Sequence, residues 1–415
     1  MMKTNPPAYF AVEEMHPKDN RILLFAENSR ITGFCLENGR IAEVFQEKEQ
    51  SVRAGDIYLG RVGHYAAHID AYYVEILKGV SCFLPADEAA LGKDRARLHE
   101  GDEILVQIKK EAYKTKLAYA AAKLEIAGKY SVVSNAAPAV YYSKKIKREE
   151  KERLKKLVEE SAAISDFPFQ VLLRTAAAEC REDSLILKEI SDHGERLQRV
   201  LAAASHTYPL RRMYEAVSTL EFLFQEGRID GHTKIVTEDR ALYGRINELC
   251  RQYGYDPEET SVLYSDPELP MRVLYGLKSR LREIMEEKVW LSSGASLYIA
   301  QTEALNVIDV NTGKYTSKSG REETFLKINL EASREIAFQI RARNLSGIIL
   351  IDFINMQDKN NATILLDDLK KRLQQFSPRG VVVDITKLGL VEITREKRRP
   401  DIYRIKEELD KIILR

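Results

Sequence analysis

The sequence predicts an α+β protein of several domains, for three reasons. Its 415 residues exceed what one hydrophobic core normally organises. Short strand-like runs separated by turn glycines dominate residues 55–124, as in a small barrel. From residue 289 onwards, apolar strands alternate with helical patterns, as in an α/β sheet.

The composition excludes several classes of protein. With 44% hydrophobic and 31% charged residues, the chain is not a wholly disordered protein. The net charge of +1 shows no general basic excess, so any nucleic-acid surface must be local. The cysteines are too scattered for a metal-binding pair, and we expect them to be reduced and mostly buried. Neither a signal peptide nor a membrane-spanning run is recognisable, which predicts a soluble, cytoplasmic protein without a transmembrane segment.

The first fifty residues predict the antiparallel edge of a sheet that is completed later in the chain. Strand-like runs occupy residues 21–26, 31–36 and 41–46. Asn28 with Ser29, and Asn38 with Gly39, supply turn residues between them.

Residues 55–124 predict a small barrel that binds nucleic acid. The strand candidates are residues 57–62, 71–76, 81–85, 103–109 and 117–121. Aromatic residues lie among basic ones over this stretch: Tyr58, Tyr65, Tyr72, Tyr73 and Phe83 with Arg61, Lys109, Lys110, Lys114 and Lys116. Bases of a single strand stack on aromatic rings while cations follow the phosphates. The alternative is that the rings simply fill the barrel.

The middle of the chain mixes helices and strands. Residues 144–156 combine many basic residues with helix-spaced glutamates, which favours a solvated helical face over a phosphate-facing role. An apolar run over residues 167–174 ends at Arg174 and Thr175. Helices are predicted over 183–205 and 209–225, followed by a strand, a helix and a strand over 234–263.

The last third contains the sharpest chemical signal. Asp309 lies near the end of the apolar run 306–310, with Asn311 two positions on, and Asp352 holds the corresponding position in the run 347–354. A helix predicted over 325–343 would connect these as neighbouring strands. Acidic groups in core-type strands are costly unless they are paired or bind a metal. Mg²⁺ suits two carboxylates because it keeps waters and phosphate oxygens in its other positions, and it can activate water.

Other interpretations remain open at this point. Each aspartate could instead cap a turn or helix after its strand. The sequence lacks a phosphate-binding GxxxxGK[ST] loop, an HExxH motif and a GxSxG motif. For His64 and His68, which are four residues apart, a structural or surface role is favoured over metal ligation, and core packing is favoured for Cys250.

Long motifs in this chain resemble the ribonuclease E/G family. They are QTEALNVIDVNTG, GREETFLKINLEASREIAFQIRARNLSG, IILIDFINM and ITKLGLVEITRE, with DIYLGRV, CFLPADE, GDEILVQIKKE and QVLLRTAAAE upstream. The resemblance implies a discontinuous RNase H-like subdomain at residues 1–50 and 223–288. It further implies an S1-type OB barrel at 51–124, a 5′-sensor subdomain at 125–222, a DNase I-like catalytic domain at 289–400 and an amphipathic tail at 401–415.

The resemblance also implies roles at the catalytic positions. Asp309 and Asp352 match the two magnesium-binding catalytic aspartates, and Asn311 matches the asparagine that supports them. Arg343 and Arg379 would line the catalytic channel as RNA-binding residues.

Further positions match residues that bind RNA. Arg174 and Thr175 match the pair that grips a 5′-monophosphate, in a pocket to which Gly128 and Val132 contribute backbone and packing. Three barrel residues match RNA contacts: Tyr73 and Phe83 as base-stacking rings and Lys116 as a phosphate contact.

The chain departs from the family pattern in three places. No cysteine follows Cys250, so we expect no structural zinc and no zinc-linked dimer. Should a homodimer form, residues 401–415 are one candidate contact, with packing on their own domain favoured instead. Residues 176–179 replace a glycine- and lysine-containing loop, which weakens the expectation of 5′-end sensing, and Asn355 replaces an acidic residue.

Two functions follow from this resemblance. The first is a Mg²⁺-dependent endoribonuclease that cuts single-stranded RNA to 5′-phosphate and 3′-hydroxyl ends, is stimulated by 5′-monophosphate ends, and acts in rRNA processing and mRNA turnover. The second is an RNA-binding or assembly protein of the same fold that has lost catalysis. Retention of Asp309, Asn311 and Asp352 favours the first.

Overall fold

The computed structural model describes residues 20–48, 52–89, 98–112, 116–161, 167–225, 228–229, 232–312, 321–376, 380–396 and 400–414. Two compact units divide the chain. The first unit combines Met1–Glu49 with Ile229–Arg415, and the second is Gln50–Arg228.

Strands and helices are numbered in chain order. The strands are β1 (Arg21–Glu27), β2 (Arg30–Glu37), β3 (Arg40–Lys48), β4 (Ile57–Ala66), β5 (Ala71–Leu77), β6 (Val80–Pro85), β7 (Glu103–Lys110), β8 (Ala118–Ala121), β9 (Glu125–Ala127), β10 (Ser131–Ser134), β11 (Ala139–Tyr142), β12 (Gln170–Leu173), β13 (Arg211–Tyr214), β14 (Lys234–Thr237), β15 (Ser261–Leu263), β16 (Lys288–Trp290), β17 (Ser296–Gln301), β18 (Leu305–Asn311), β19 (Gly347–Asp352), β20 (Gly380–Ile385) and β21 (Val391–Arg395). The helices are α1 (Arg148–Glu160), α2 (Thr175–Glu179), α3 (Asp183–Ala204), α4 (Thr219–Gln225), α5 (Arg240–Tyr253), α6 (Pro257–Thr260), α7 (Met271–Leu274), α8 (Leu277–Met285), α9 (Arg321–Ala342), α10 (Lys359–Phe376) and α11 (Lys406–Leu414).

A five-stranded sheet in the first unit has the order β15-β14-β1-β2-β3. Strand β2 lies between β1 and β3 and is antiparallel to both, while β14 pairs in parallel with β1. The turn between β1 and β2 places Asn28 and Ser29 at φ values of 50° and 57°, the left-handed region that tight hairpin turns require. The prediction that later strands complete this sheet is confirmed.

A six-stranded sheet in the same unit has the order β16-β17-β18-β19-β21-β20. Strands β18 and β19 are parallel neighbours, and α9 is the crossover helix between them, as predicted. Alternate sheet residues such as Ile308 and Ile349 share a buried core with Ile336 of α9 and Leu369 of α10. Helices therefore cover one face of this sheet, and the residues between the buried ones point to the other face.

The C-terminal tail packs on its own unit. Ile402, Leu409 and Ile412 are buried in one core with Leu23 and Phe34 of the five-stranded sheet. Packing on its own domain was the favoured prediction for this segment; its buried residues instead share the core of the five-stranded sheet in the same unit. Searched over the described residues, no helix has the length and apolar character needed to cross a bilayer.

A closed five-stranded barrel forms in the second unit. Its strands run in the order β4-β5-β6-β8-β7, and β4 also pairs with β7. Residues such as Val74, Cys82, Leu84 and Ile108 fill the interior. The predicted barrel is confirmed, and its form is consistent with an OB-type domain.

The prediction of a helix over residues 209–225 was wrong in its first half. Arg211–Tyr214 is instead β13, an antiparallel neighbour of β4, and the helix begins only at Thr219. The buried carboxylate of Asp56 explains the extended backbone, because it accepts a hydrogen bond from the Ala216 amide at 2.8 Å and lies 3.6 Å from Arg212 Nη1. These tertiary contacts outweigh local helical preference.

A four-stranded sheet, β11-β12-β10-β9, completes the second unit. Its buried Val133 and Val171 pack with Ile190 of α3 and with Leu154 of α1. Apart from Leu154 and Val158, α1 buries none of its side chains, which confirms the predicted solvated helical face.

Candidate active site and RNA-contacting residues

The two predicted catalytic aspartates lie side by side. Asp309 of β18 and Asp352 of β19 are direct partners in the parallel ladder, on strands spaced by about 4.8 Å. Cross-strand partners project from the same face of a sheet. Because buried Ile308, Val310 and Ile351 point to the helix-covered face, both aspartates belong to the opposite, uncovered face.

Asn311 holds one of the two carboxylates. Its side-chain Nδ2 donates a hydrogen bond to Asp309 Oδ2 at 2.6 Å. The Asp352 side chain is exposed, and among the described residues nothing forms a hydrogen bond or ion pair with it. The pair thus has one carboxylate oriented by an amide and one accessible to a ligand.

The backbone after Asp352 is fixed by a residue that the sequence analysis did not single out. Asn329 of α9 is completely buried, donates to the Ile354 carbonyl at 2.8 Å and accepts from the Ile354 amide at 3.1 Å. Its place on the buried stripe of α9 between Ile328 and Ala332 was the available signal, because a buried amide needs partners.

The chemistry of this carboxylate pair fits Mg²⁺. In the described residues, no group of three or more histidine, cysteine, aspartate or glutamate side chains forms a metal-binding cluster. Mg²⁺ is commonly held by one or two carboxylates, with waters and phosphate oxygens as its other ligands. Asp309 and Asp352 would hold the ion, and Asn311 would orient Asp309.

Arg343 requires a correction. It was expected to line the catalytic channel, but it is 0% exposed. Its guanidinium donates to Gln339 Oε1 at 2.6 Å, to the Glu286 carbonyl at 2.7 Å and to the Tyr403 hydroxyl. Burial lowers the pKa of Arg343. This side chain ties α9 to the segments around Glu286 and Tyr403, and it is not available to RNA. Arg379, the other predicted channel residue, lies outside the described residues.

The predicted 5′-phosphate residues are brought together in the second unit. The Arg174 guanidinium donates to the carbonyl of Gly128, and the Arg174 amide donates to the Tyr130 carbonyl at 2.8 Å. Thr175 begins the short helix α2, and its hydroxyl is 3.1 Å from that of Ser143. Val132 lies opposite Leu172 on the neighbouring strand β12, which leads directly to Arg174.

Glu189 of α3 organises the turn that contains Gly128, and the sequence analysis missed it. Its carboxylate accepts hydrogen bonds of 2.8–2.9 Å from the amides of Lys129, Tyr130 and Ser131 and from the Ser131 hydroxyl. A Cβ at position 128 would lie 2.4 Å from Glu189 Cδ and from His193 Cε1, so any larger residue there would displace these two side chains. No sequence signal pairs a glutamate with a turn some sixty residues away.

A row of aromatic rings crosses the barrel. Tyr73 and Phe83 are cross-strand partners with ring centroids 6.4 Å apart, and Phe83 lies 6.2 Å from Tyr119. His64 stacks on the other side of Tyr73, with centroids 4.6 Å apart and planes at 24°. Lys110 Nζ is 5.6 Å from the Tyr119 ring centroid. The rings of this row are partly exposed or exposed, as base stacking requires.

Some of the barrel aromatics fill the interior, and others are positioned for base stacking, so each of the two interpretations applies to part of the set. Tyr58 and Tyr72 are buried and fill the barrel, whereas Tyr73 and Phe83 face outward. Lys116 is exposed, as a phosphate contact requires. Tyr119 is not among the base-stacking residues expected from the sequence, and the role expected for His64 is only structural or at the surface.

Comparison with known proteins decides the family. Residues 125–398 match the model of the Ribonuclease E/G family. The chain belongs to the ribonuclease E/G family. Among its relatives, ribonuclease G of Salmonella typhimurium is 29% identical over 394 residues, covering 89% of this chain and 78% of the relative. Ribonuclease G of Haemophilus influenzae is 29% identical over 389 residues, with the same coverage. Ribonuclease E of Synechocystis is 30% identical over 370 residues, covering 86% of this chain and 54% of that relative.

The relatives indicate that this member of the ribonuclease E/G family is an endoribonuclease. The barrel and the paired aspartates are the structural features that we relate to this activity.

Proposed function

We propose that the chain is a Mg²⁺-dependent endoribonuclease that hydrolyses phosphodiester bonds of single-stranded RNA and leaves 5′-phosphate and 3′-hydroxyl ends. The observation that carries this proposal is the direct pairing of Asp309 with Asp352 on the uncovered face of the six-stranded sheet. Two like charges in that position repel each other, and a shared cation relieves the repulsion.

Each residue of the site has a separate role. A bound Mg²⁺ supplies Lewis acidity and a lowered pKa for its water. Asp309 and Asp352 would hold the ion, while Asn311 keeps the Asp309 carboxylate in one orientation. Asn329 fixes the backbone after β19 and so prevents Asp352 from moving away.

The second unit would supply further contacts to the RNA. Tyr73, Phe83, Tyr119 and His64 offer successive ring faces to unpaired bases. The Arg174 guanidinium and the Thr175 hydroxyl are donors suited to a terminal 5′-monophosphate, and RNA with such an end would be cut faster.

Further aspects of the proposal concern fold and setting. We assign the five-stranded sheet and its helices to an RNase H-like subdomain, the barrel to an S1-type domain, the β9–β12 sheet with α1 and α3 to a 5′-sensor subdomain, and the six-stranded sheet to a DNase I-like domain. The substrates would be messenger and ribosomal precursor transcripts. Cys35, Cys82, Cys180 and Cys250, all within the described residues, form no disulfide bond, which fits the reducing cytoplasm, where we place the reaction.

Cleavage of a defined oligoribonucleotide tests the proposal. A single-stranded RNA labelled at its 3′ end is incubated with the protein at increasing Mg²⁺, then with excess chelator. Cleavage that requires the metal and yields 5′-phosphate products supports the proposal. Tight binding without cleavage at any Mg²⁺ concentration would instead identify an RNA-binding protein that has lost catalysis.

A further inference from the structure

The uncovered face of the six-stranded sheet carries more than the two aspartates. Register places Tyr298 of β17 directly opposite Asp309, and Lys288 of β16 directly opposite Tyr298. One row of cross-strand partners therefore runs Lys288, Tyr298, Asp309, Asp352 over four neighbouring strands. Partners in such a row project to the same side and contact one another.

Trp290 extends this row on the same face. It lies two residues after Lys288 and opposite Ser296, which places its indole diagonally beside Tyr298. It is 65% exposed, Tyr298 is 44% exposed, and Trp290 is the only tryptophan of the chain. Lys288 Nζ is 4.0 Å from the Trp290 ring centroid, so a cation lies over the indole.

Two large exposed rings on neighbouring strands of one face indicate a binding site, because leaving that much apolar surface in water is unfavourable. Tyr298 is anchored by a hydrogen bond from its hydroxyl to the Glu287 carboxylate, and this bond raises the pKa of Tyr298. Its ring is therefore held in place beside Asp309 while remaining accessible.

We propose that Trp290 and Tyr298 form a stacking subsite for a nucleobase next to the scissile phosphate of bound RNA. The occupant is a base of single-stranded RNA because aromatic rings with an adjacent lysine combine stacking with attraction for phosphate. A protein partner would fit an uncharged apolar patch better than one bordered by Lys288 and two carboxylates.

This inference rests on the proposed function, since it assigns the base beside the phosphodiester bond that would be hydrolysed at the Asp309–Asp352 site. The subsite and the proposed function nevertheless predict different measurements, because one concerns RNA binding and the other cleavage. The subsite would bind RNA even when no metal is present and no bond is cut, because stacking needs only the rings.

The fluorescence of the single tryptophan tests binding at the subsite directly. The Asp309→Asn protein is titrated with an unlabelled single-stranded oligoribonucleotide in the presence of a chelator. We expect indole emission to be quenched with the same midpoint that anisotropy of a labelled RNA gives. Emission that stays unchanged when the RNA is bound would overturn the inference.

Kinetics provide the second test. Trp290→Ala and Tyr298→Ala should each raise KM by about fivefold to a hundredfold with little change in kcat, the range that loss of one stacked base produces. Trp290→Phe should recover most of the loss. Tyr208→Ala is the matched control, because Tyr208 is 88% exposed and lies in the other unit.

The outcomes separate the two proposals. A wild-type protein that cuts RNA, with an unchanged KM in Trp290→Ala, contradicts the subsite and leaves the proposed function intact. A wild-type protein that quenches on RNA but never cleaves it supports the subsite and contradicts the proposed function.

Discussion

Asp309 and Asp352 are direct partners in the parallel pair β18–β19, one at the partly exposed position before Val310 and the other at the exposed end of its strand. Two carboxylates in this relationship gain nothing for the sheet, since cross-strand like charges are destabilising. Under the proposed function, a cation shared by the two carboxylates would relieve this repulsion.

Replacing Asp309 by asparagine should therefore abolish cleavage. We expect a loss of at least about a thousandfold in kcat, because metal-bound transition states are stabilised by several kcal/mol. RNA affinity should remain within about twofold of wild type, because the barrel is intact. Single-turnover cleavage and anisotropy of the same labelled RNA measure the two quantities.

Asp367→Asn is the matched control for this variant. Asp367 lies on α10 with its side chain 70% exposed, beside Lys370. It should cut like wild type, and chelation should inactivate both wild type and control. If Asp309→Asn cut at the rate of Asp367→Asn, the metal assignment would be wrong.

The aromatic row of the barrel makes a prediction about binding. Phe83→Ala should weaken affinity for single-stranded RNA by about 1–3 kcal/mol, because Phe83 lies between Tyr73 and Tyr119 and its loss interrupts the row. Anisotropy in the presence of chelator measures the change. Tyr65→Ala is the control, since the Tyr65 ring lies against Tyr72 and its hydroxyl donates a hydrogen bond to Asp70. Equal affinities of the two variants would contradict a stacking role for the row.

Much of the fold could be predicted because strands and turns leave local patterns. The run Ala71–Leu77 alternates, and Tyr72 shares the parity of Val74 and Ile76, so it points inward while Tyr73 points outward. His64 could not be placed in this way, because a register shift between Val62 and Tyr65 breaks the alternation of β4.

The candidate site was predictable where its residues end apolar strands, as Asp309 and Asp352 do. Arg343 shows where a prediction that rests on motif resemblance alone fails. It continues the buried stripe of α9 three residues beyond Ile340, so helical spacing already directs it inward. The partners that make its burial tolerable, Tyr403 and the Glu286 carbonyl, are distant in sequence and leave no local signal.

Glu189 should set the preference for 5′-monophosphate ends. In Glu189→Gln, the amide NH₂ would face backbone N–H donors of the turn at Lys129–Ser131, which loosens the carbonyl of Gly128 that Arg174 contacts. We expect the ratio of cleavage rates for 5′-monophosphate and 5′-hydroxyl RNA to fall about tenfold, the equivalent of 1.4 kcal/mol.

The rate on 5′-hydroxyl RNA should not change in Glu189→Gln, which distinguishes loss of sensing from general unfolding. Glu195→Gln, at an exposed position of the same helix, is the control and should keep the wild-type ratio. A ratio that Glu189→Gln leaves unaltered would show that the turn does not take part in 5′-end recognition.

Arg343 should contribute to stability and not to RNA binding. Arg343→Met leaves Gln339, Tyr403 and the Glu286 carbonyl without their donor, and we expect the free energy of unfolding to fall by about 2–4 kcal/mol. Urea unfolding measures it. Arg334→Met, at an exposed position of α9, should change stability by less than about 0.5 kcal/mol. Reduced RNA affinity in folded Arg343→Met, without loss of stability, would restore the role first predicted for this residue.

Stability of the second unit should depend on the protonation of His193. Burial lowers the pKa of His193 below its usual 6.5, and Arg196 adds to this, while Glu189 and Asp192 oppose it. The unfolded chain therefore binds a proton more readily than the folded one. The contribution of neutral His193 to the free energy of unfolding is complete above about pH 6.5 and is lost as pH falls below that value.

Urea midpoints measured between about pH 5.5 and pH 7.5 should decrease towards acid in wild type. His193→Gln should flatten that dependence, whereas His206→Gln, at an exposed position, should retain it. If the urea midpoint of His193→Gln still fell towards acid as in wild type, other groups would titrate in this range and the buried imidazole would not be the cause.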